Sequence, residues 1–144
     1  ERDFRYAEHA RHVEIIQALR RRDAKALRAS ASEFDGRLYL YIPSFMKWDA
    51  ACRICEELGG NLVTITSGRE AEFVNSLVKG GSWFWMGLET TPSGHRWVTG
   101  ESYRYGVFVD PLRESLPGGK VFCNGLFTSE VYPDVSNCFM IEWR

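Results

Sequence analysis

Three histidines, four cysteines and nineteen carboxylate side chains are the residues of this 144-residue chain from which chemistry could be built. His9 and His12 stand three apart on a stretch of helical period, a spacing that can grip a metal, but no third ligand accompanies them. His95 follows Gly94 in an expected turn, where a histidine is normally exposed. Cys52 and Cys55 fall inside an apolar helical stripe, where free thiols behave as small hydrophobes. Zinc held by all four cysteines is a distant alternative to reduced core thiols. The chain has no Gly-x-Ser-x-Gly, no phosphate-cradling glycine loop and no His-Glu-x-x-His, and no spacing pairs two carboxylates into an acid/base dyad. The expectation is a protein that is not an enzyme. Binding chemistry remains. Residues 106–120 read as one long loop rich in glycine and proline, and it carries Phe108, Asp110, Leu112, Arg113, Glu114 and Leu116. Apolar side chains around an arginine are the usual anatomy of an interface hot spot.

The elements that must hold such a loop are legible from period and punctuation. Ala10, Val13, Ile16 and Leu19 share helical spacing and predict a helix to about Arg22; Asp23 is placed to cap a second short helix, Ala24 to Ala31. Residues 1–33 hold 8 Lys+Arg and 6 Asp+Glu, with no glycine, proline or tryptophan, and read as a helical hairpin: a linker or the remnant of an upstream domain. Arg20, Arg21 and Arg22 could touch phosphate, but three arginines at a helix end are more often solvated. Arg37–Ile42 predicts a strand with Leu38, Leu40 and Ile42 on one face and Tyr39 and Tyr41 on the other, stopped by Pro43. Trp48, Ala51, Cys52, Cys55 and Leu58 form the stripe of an amphipathic helix ended by Gly59 and Gly60. Asn61–Thr66 reads as a strand, and Ser67 to Glu70 as a capping box opening a helix that buries Ala71, Val74, Leu77 and Val78, closed by Gly80 and Gly81. Further strands are expected at Trp83–Leu88, from Arg96 to Val98, at Val121–Phe127 and at Cys138–Trp143. The order is that of an α+β fold in which residues 34–144 form one domain.

The bulk composition excludes several classes of partner. A formal net charge of −1 gives no electrostatic case for nucleic acid or an anionic membrane. No run approaches the ~20 apolar residues of a membrane span. Oligomeric state and ligand identity are not legible.

Five motifs in order resemble the C-type-lectin-like domain family. Trp48 through Ile65 is similar to its first helix and following strand, and Glu70 to Val74 to its second helix. Trp85-Met86-Gly87-Leu88 resembles its core strand, Trp97-Val98-Thr99-Gly100 the turn into its long loop, and Phe139-Met140-Ile141-Glu142-Trp143 its last strand. The resemblance covers roughly three quarters of the chain. It implies two helices packed on small antiparallel sheets with a long loop region, here preceded by the helical hairpin.

Departures from the family pattern bear on function. Calcium-dependent members place a Glu-Pro-Asn type triplet in the long loop and a Trp-Asn-Asp triplet before the last strand, because calcium takes six to eight oxygen ligands. The corresponding stretches here resemble Asp110-Pro111-Leu112 and Tyr132-Pro133-Asp134, so leucine and proline stand where two amide ligands would be. Asp110 and Asp134 remain as calcium candidates, but the resemblance disfavours a metal. It leaves two kinds of partner: a protein on the long-loop face, or a glycan stacked on Tyr103, Tyr105, Phe108 or Tyr132. Cys55 matches the family's first-helix cysteine, whose usual partner position is held by Ile141. Cys123 and Cys138 fall near its second bridge, and a bridge between them stays open beside reduced cysteines. Disulfide-poor versions are typical of bacterial relatives appended to larger proteins. The family implies an extracytoplasmic address, which the missing partner weakens.

Overall fold

The computed structural model describes residues 2–78, 82–130 and 134–144, with side chains from His9 onward. Helix α1 (Arg2–Arg20) and helix α2 (Ala24–Ala29) form the expected hairpin, with the Asp23 side chain accepting from the Ala26 N–H as its cap. The buried stripe of α1 is Ile15, Ala18 and Leu19; Val13, expected on it, is 39% exposed. These residues and Leu27 join one cluster with Leu40, Cys55, Ile141 and Trp143, so the hairpin packs onto the rest of the chain. Arg22 Nε reaches Glu57 Oε2 at 2.8 Å, so this arginine is paired rather than merely solvated.

The strands form one sheet in the order β1 (Ser32–Phe34), β2 (Arg37–Met46), β8 (Asn137–Trp143), β4 (Phe84–Thr91), β6 (Gly118–Cys123), β7 (Leu126–Ser129). Strand β3 (Asn61–Leu62) pairs with β8, and β5 (Gly94–Trp97) with β4. All seven residues of β8 are buried, as a strand covered on both faces requires. One face carries the hairpin and α3 (Trp48–Glu57); the other carries α4 (Gly68–Ser76) and aromatic side chains of the long loop. The alternation of β2 splits between the two clusters as expected: Leu40 and Ile42 on the first, Tyr39 on the second. Ser67 Oγ accepts from the Glu70 N–H at 3.1 Å, the cap expected of it, while the Glu70 carboxylate turns back to the Thr66 N–H at 2.7 Å rather than to that of Ser67. Gly80 and Gly81, expected to close α4, lie outside the described residues.

Several boundaries differ from expectation, each for a physical reason. Pro43 does not end β2. It interrupts the ladder, which shifts register between Ile42 and Met46 and resumes at Met46↔Asn137, because a residue without N–H is tolerated at a bulge. Strand β1, absent from the sequence reading, is turned into β2 by Asp35 and Gly36, both at positive φ (53° and 81°). The single strand expected over Val121–Phe127 is a hairpin, β6 and β7, folded at Asn124 and Gly125 with φ of 52° and 82°. Only Asn61 and Leu62 of the expected Asn61–Thr66 strand pair with β8 in ladder register. The irregular loop runs over 98–117, so residues 118–120, expected within it, belong to β6.

Candidate long-loop binding face

Strand β7 would be a sheet edge if the long loop did not lie along it. The Val109 N–H donates to the Phe127 carbonyl at 2.9 Å, and the Phe127 N–H to the Val107 carbonyl at 2.8 Å. Two bonds to one residue fix 107–109 as an extended segment, and alternation then decides which side chains face out. Phe108 turns inward. Its ring stacks on His95 with centroids 5.3 Å apart and meets Phe127 edge-on at 5.7 Å. Val107 and Val109 turn outward and are 47% and 59% exposed. Phe108, expected as a contact residue, is thus the anchor of the face, and the valines missed by the sequence reading form its surface.

The next turn is held just as firmly. Asp110 Oδ1 accepts from the Leu112 N–H at 3.0 Å, and Oδ2 lies 3.3 Å from Arg113 Nε. These contacts shape a single 3-10 turn, Pro111–Arg113, that lifts Leu112 to 90% exposure. Ser129 Oγ donates to the Arg113 carbonyl at 2.7 Å, tying the turn to β7. His95, expected in an exposed turn, is instead a hub: its Nδ1 lies 2.8 Å from Thr90 Oγ1, its Nε2 3.5 Å from Glu114 Oε1, and Tyr103 packs on the ring at 4.7 Å. Tyr103 and Tyr105 are half-buried against Trp97 and Phe127, so neither presents a free ring for sugar stacking. Tyr132 lies outside the described residues.

Lys120, expected in the loop, is fully buried on β6, and its ammonium donates to the carbonyls of Leu116 (2.6 Å) and Gly118 (3.2 Å). Burial pulls its pKa down from 10.5 to about 8. The folded chain therefore binds fewer protons than the unfolded chain across that interval, and this lysine's contribution to stability rises with pH through it. Denaturant unfolding of the wild type and of Lys120→Met at pH 8 and about pH 9.5 is expected to show the wild type gaining on the variant as pH climbs. Over that pH interval the gain cannot exceed about 2 kcal/mol for one proton; equal slopes would contradict the shift.

The two calcium candidates do not converge. Asp110 spends both oxygens within its own turn, whereas Asp134 lies 3.3 Å from Lys47 Nζ. Among the described residues no three histidine, cysteine or acidic side chains stand close enough to hold a metal ion. Within its turn Asp110 has both carboxylate oxygens engaged, whereas calcium takes six to eight oxygens.

The cysteines are all free thiols. The Cys123–Cys138 bridge left open by the sequence is blocked by topology, because β4 lies between β6 and β8: Phe84 pairs with Phe122 on one side and Cys138 on the other. Two strand spacings come to about 9–10 Å, beyond the ~7 Å that a disulfide spans. Alternation also sends the two side chains to opposite faces of the sheet. Burial pushes the Cys52 thiol up to about 12 and Cys55 well above its ordinary value, leaving both protonated and poor as metal ligands or nucleophiles.

The family model described as lectin C-type domain matches residues 44–139. Snaclec 3 of Sistrurus catenatus edwardsii is 34% identical over 98 residues, which cover 60% of this chain and 65% of that protein, so the chain spans just under two thirds of that relative. Human lithostathine superposes with a TM-score of 0.70 at 17% identity, covering 79% of this chain and 96% of that one. A calcium-independent type II antifreeze protein superposes with a TM-score of 0.69 at 18% identity, covering 79% and 91%.

Proposed function

The chain belongs to the C-type lectin domain family, and we propose that it is a ligand-recognition module without catalytic activity, binding a protein partner through its long-loop face without calcium. The observation that carries this reading is the exposed row Val107, Val109 and Leu112 beside Arg113, on a loop pinned to β7 and to its own aspartate. An exposed apolar row on a mobile segment would lose much of its binding energy to ordering; a pinned one is already in place. Large apolar groups with an arginine suit a protein surface better than a sugar, whose hydroxyls ask for paired donors and acceptors. The engaged carboxylates argue in the same direction: a metal at Asp110 would have to displace both the Leu112 N–H and Arg113. A fold neighbour described as calcium-independent supports a frame of this kind standing without the ion. The partner would be met outside the cytoplasm, the address that the family implies. Among the described residues no helix is long and apolar enough to cross a membrane.

Thermal melting with millimolar calcium and with EDTA, followed by a glycan array, tests the reading. Unchanged melting and a blank array are expected. An ion bound only by the native state at a hundred times its Kd would stabilise it by about 2.7 kcal/mol, so a calcium-dependent rise in melting temperature would sink the proposal. Calcium-independent capture by specific glycans would replace the protein partner with a sugar.

A further inference from the structure

A concavity lies on the sheet face that carries α3. Lys47, Trp48 and Asp49 at the start of α3, Trp85 and Glu89 of β4, residues 117–119, Glu130 and Asp134 enclose a groove of about 310 Å³. Two indoles stand behind its apolar wall and both are fixed, but Trp85 is only 4% exposed, so the half-buried Trp48 supplies the ring surface. Trp48 Nε1 donates to the Met86 carbonyl at 2.9 Å, and Trp85 Nε1 to the Met46 carbonyl at 2.8 Å. Trp48 lies so close to Gly119 that a Cβ there would fall 2.3 Å from its ring. With its N–H group committed, Trp48 offers a ligand only ring face and edge.

The charged lining is one-sided. Asp49, Glu89, Glu130 and Asp134 contribute four carboxylates. Among the described residues Glu89 holds Arg96 at 2.6 Å, Asp134 lies 3.3 Å from Lys47 Nζ, and Glu130 accepts from the neutral Asn137 amide at 2.9 Å, so four negative charges less two positive leave two without a cation. An anion is repelled here. A neutral sugar finds acceptors in excess and few donors. A flat cation fits both parts of the lining, because a guanidinium stacks on an indole while its edge donates to carboxylates. One cation already lies across the mouth: Lys47 reaches Asp134 with the two side chains 61% and 87% exposed, a pair that water screens and a competitor can displace.

We propose that this groove takes an arginine side chain from a protein partner, stacked on Trp48 and held by the surrounding carboxylates, with Lys47 as the internal cation it displaces. The site is separate from the long-loop face, so either can fail without the other.

The probe is the tripeptide acetyl-Gly-Arg-Gly-amide, titrated into the full chain while the indole N–H signals of Trp48 and Trp85 are followed by NMR. A saturable shift with a Kd on the order of millimolar is expected for one side chain. The citrulline peptide, equal in shape and uncharged, should leave the signals in place. Lys47→Met should tighten binding several-fold by removing the competing ammonium, and Asp134→Asn combined with Asp49→Asn should weaken it about tenfold or more. All these side chains sit at the surface, and an unchanged melting temperature checks that each variant is folded. Equal shifts from arginine and citrulline peptides, no shift at all, a shift by a neutral monosaccharide instead, or a Lys47→Met variant that binds no better would each overturn the proposal.

Discussion

Replacing Glu142 by alanine is expected to destabilise the protein by roughly 3–5 kcal/mol, the usual range for stripping one partner from a buried polar network. The carboxylate is fully buried on β8. Its Oε1 accepts from the Thr64 N–H at 2.8 Å, Thr64 Oγ1 at 2.7 Å and Asn61 Nδ2 at 3.0 Å. Alanine would leave the buried Thr64 N–H with no acceptor and remove the side-chain tie from Thr64 to the central strand, with only the Val63 N–H to the Met140 carbonyl beside it. Glutamine should behave differently. It keeps an acceptor for the three donors and removes a charge whose second oxygen has no hydrogen-bond partner, Arg37 being 3.8 Å away. Burial holds the Glu142 pKa above the usual carboxylate range, against the pull of the Thr64 and Asn61 hydrogen bonds and of Arg144. A folded chain that keeps its proton longer than the unfolded chain loses stability as pH rises from about 4.5 through the folded value. Melting curves between pH 4 and 7 should therefore show the wild type falling relative to Glu142→Gln as pH increases. The alanine variant should lie well below both.

Gly87→Ala is expected to cost about 2–4 kcal/mol, a large effect for adding one methyl group, because there is no room for it. A Cβ at this point of β4 would stand 2.7 Å from the Leu62 carbonyl oxygen and 2.7 Å from Val98 Cγ2. The valine methyl can swing aside. The carbonyl cannot, since Leu62 is paired to Ile141 on β8. Gly87 also donates to the Val63 carbonyl at 2.7 Å and accepts from the Val98 N–H at 2.8 Å, so a shift here disturbs the entry to the long loop as well. Gly68→Ala is the internal control: it sits at the first position of α4, its nearest neighbour would be 3.9 Å away, and its φ is ordinary. That variant should be neutral or gain up to about 1 kcal/mol in denaturant unfolding.

How much of this was legible in the sequence depends on the range of the interaction. The α3 stripe, the Ser67 cap and the two-faced alternation of β2 are set by neighbours in the chain, and they read correctly. Asp35-Gly36 and Asn124-Gly125 are equally local signals, and their hairpins were readable from the turn chemistry that such dipeptides favour. Pro43 misled because a missing N–H ends a strand only where the partner needs that bond, and a bulge removes the need. The binding face was legible only in part. Leu112 and Arg113 were found from composition, but the inward turn of Phe108 is decided by Phe127, nineteen positions away, and the exposure of Val107 and Val109 follows from it. His95 read as an exposed turn residue because its ring is covered only once Tyr103, Phe108 and Glu114 of the loop have folded back onto it. Lys120 is satisfied by the carbonyls of Leu116 and Gly118, four and two positions away, and what could not be read locally is its burial on β6.

The central claim is that a protein partner is held on the long-loop face without calcium. It is tested most directly by capture from an extract of the source organism, run in EDTA and in calcium, with the wild type beside a Val109→Ser/Leu112→Ser/Arg113→Glu variant. These three side chains project from the loop, so the variant should melt within a few degrees of the wild type. The expected result is a saturable protein partner retained equally in EDTA and in calcium, whose affinity falls by a factor of ten or more in the variant, as loss of a hot-spot cluster requires. A partner retained only in calcium, or one bound equally well by the variant, would contradict it.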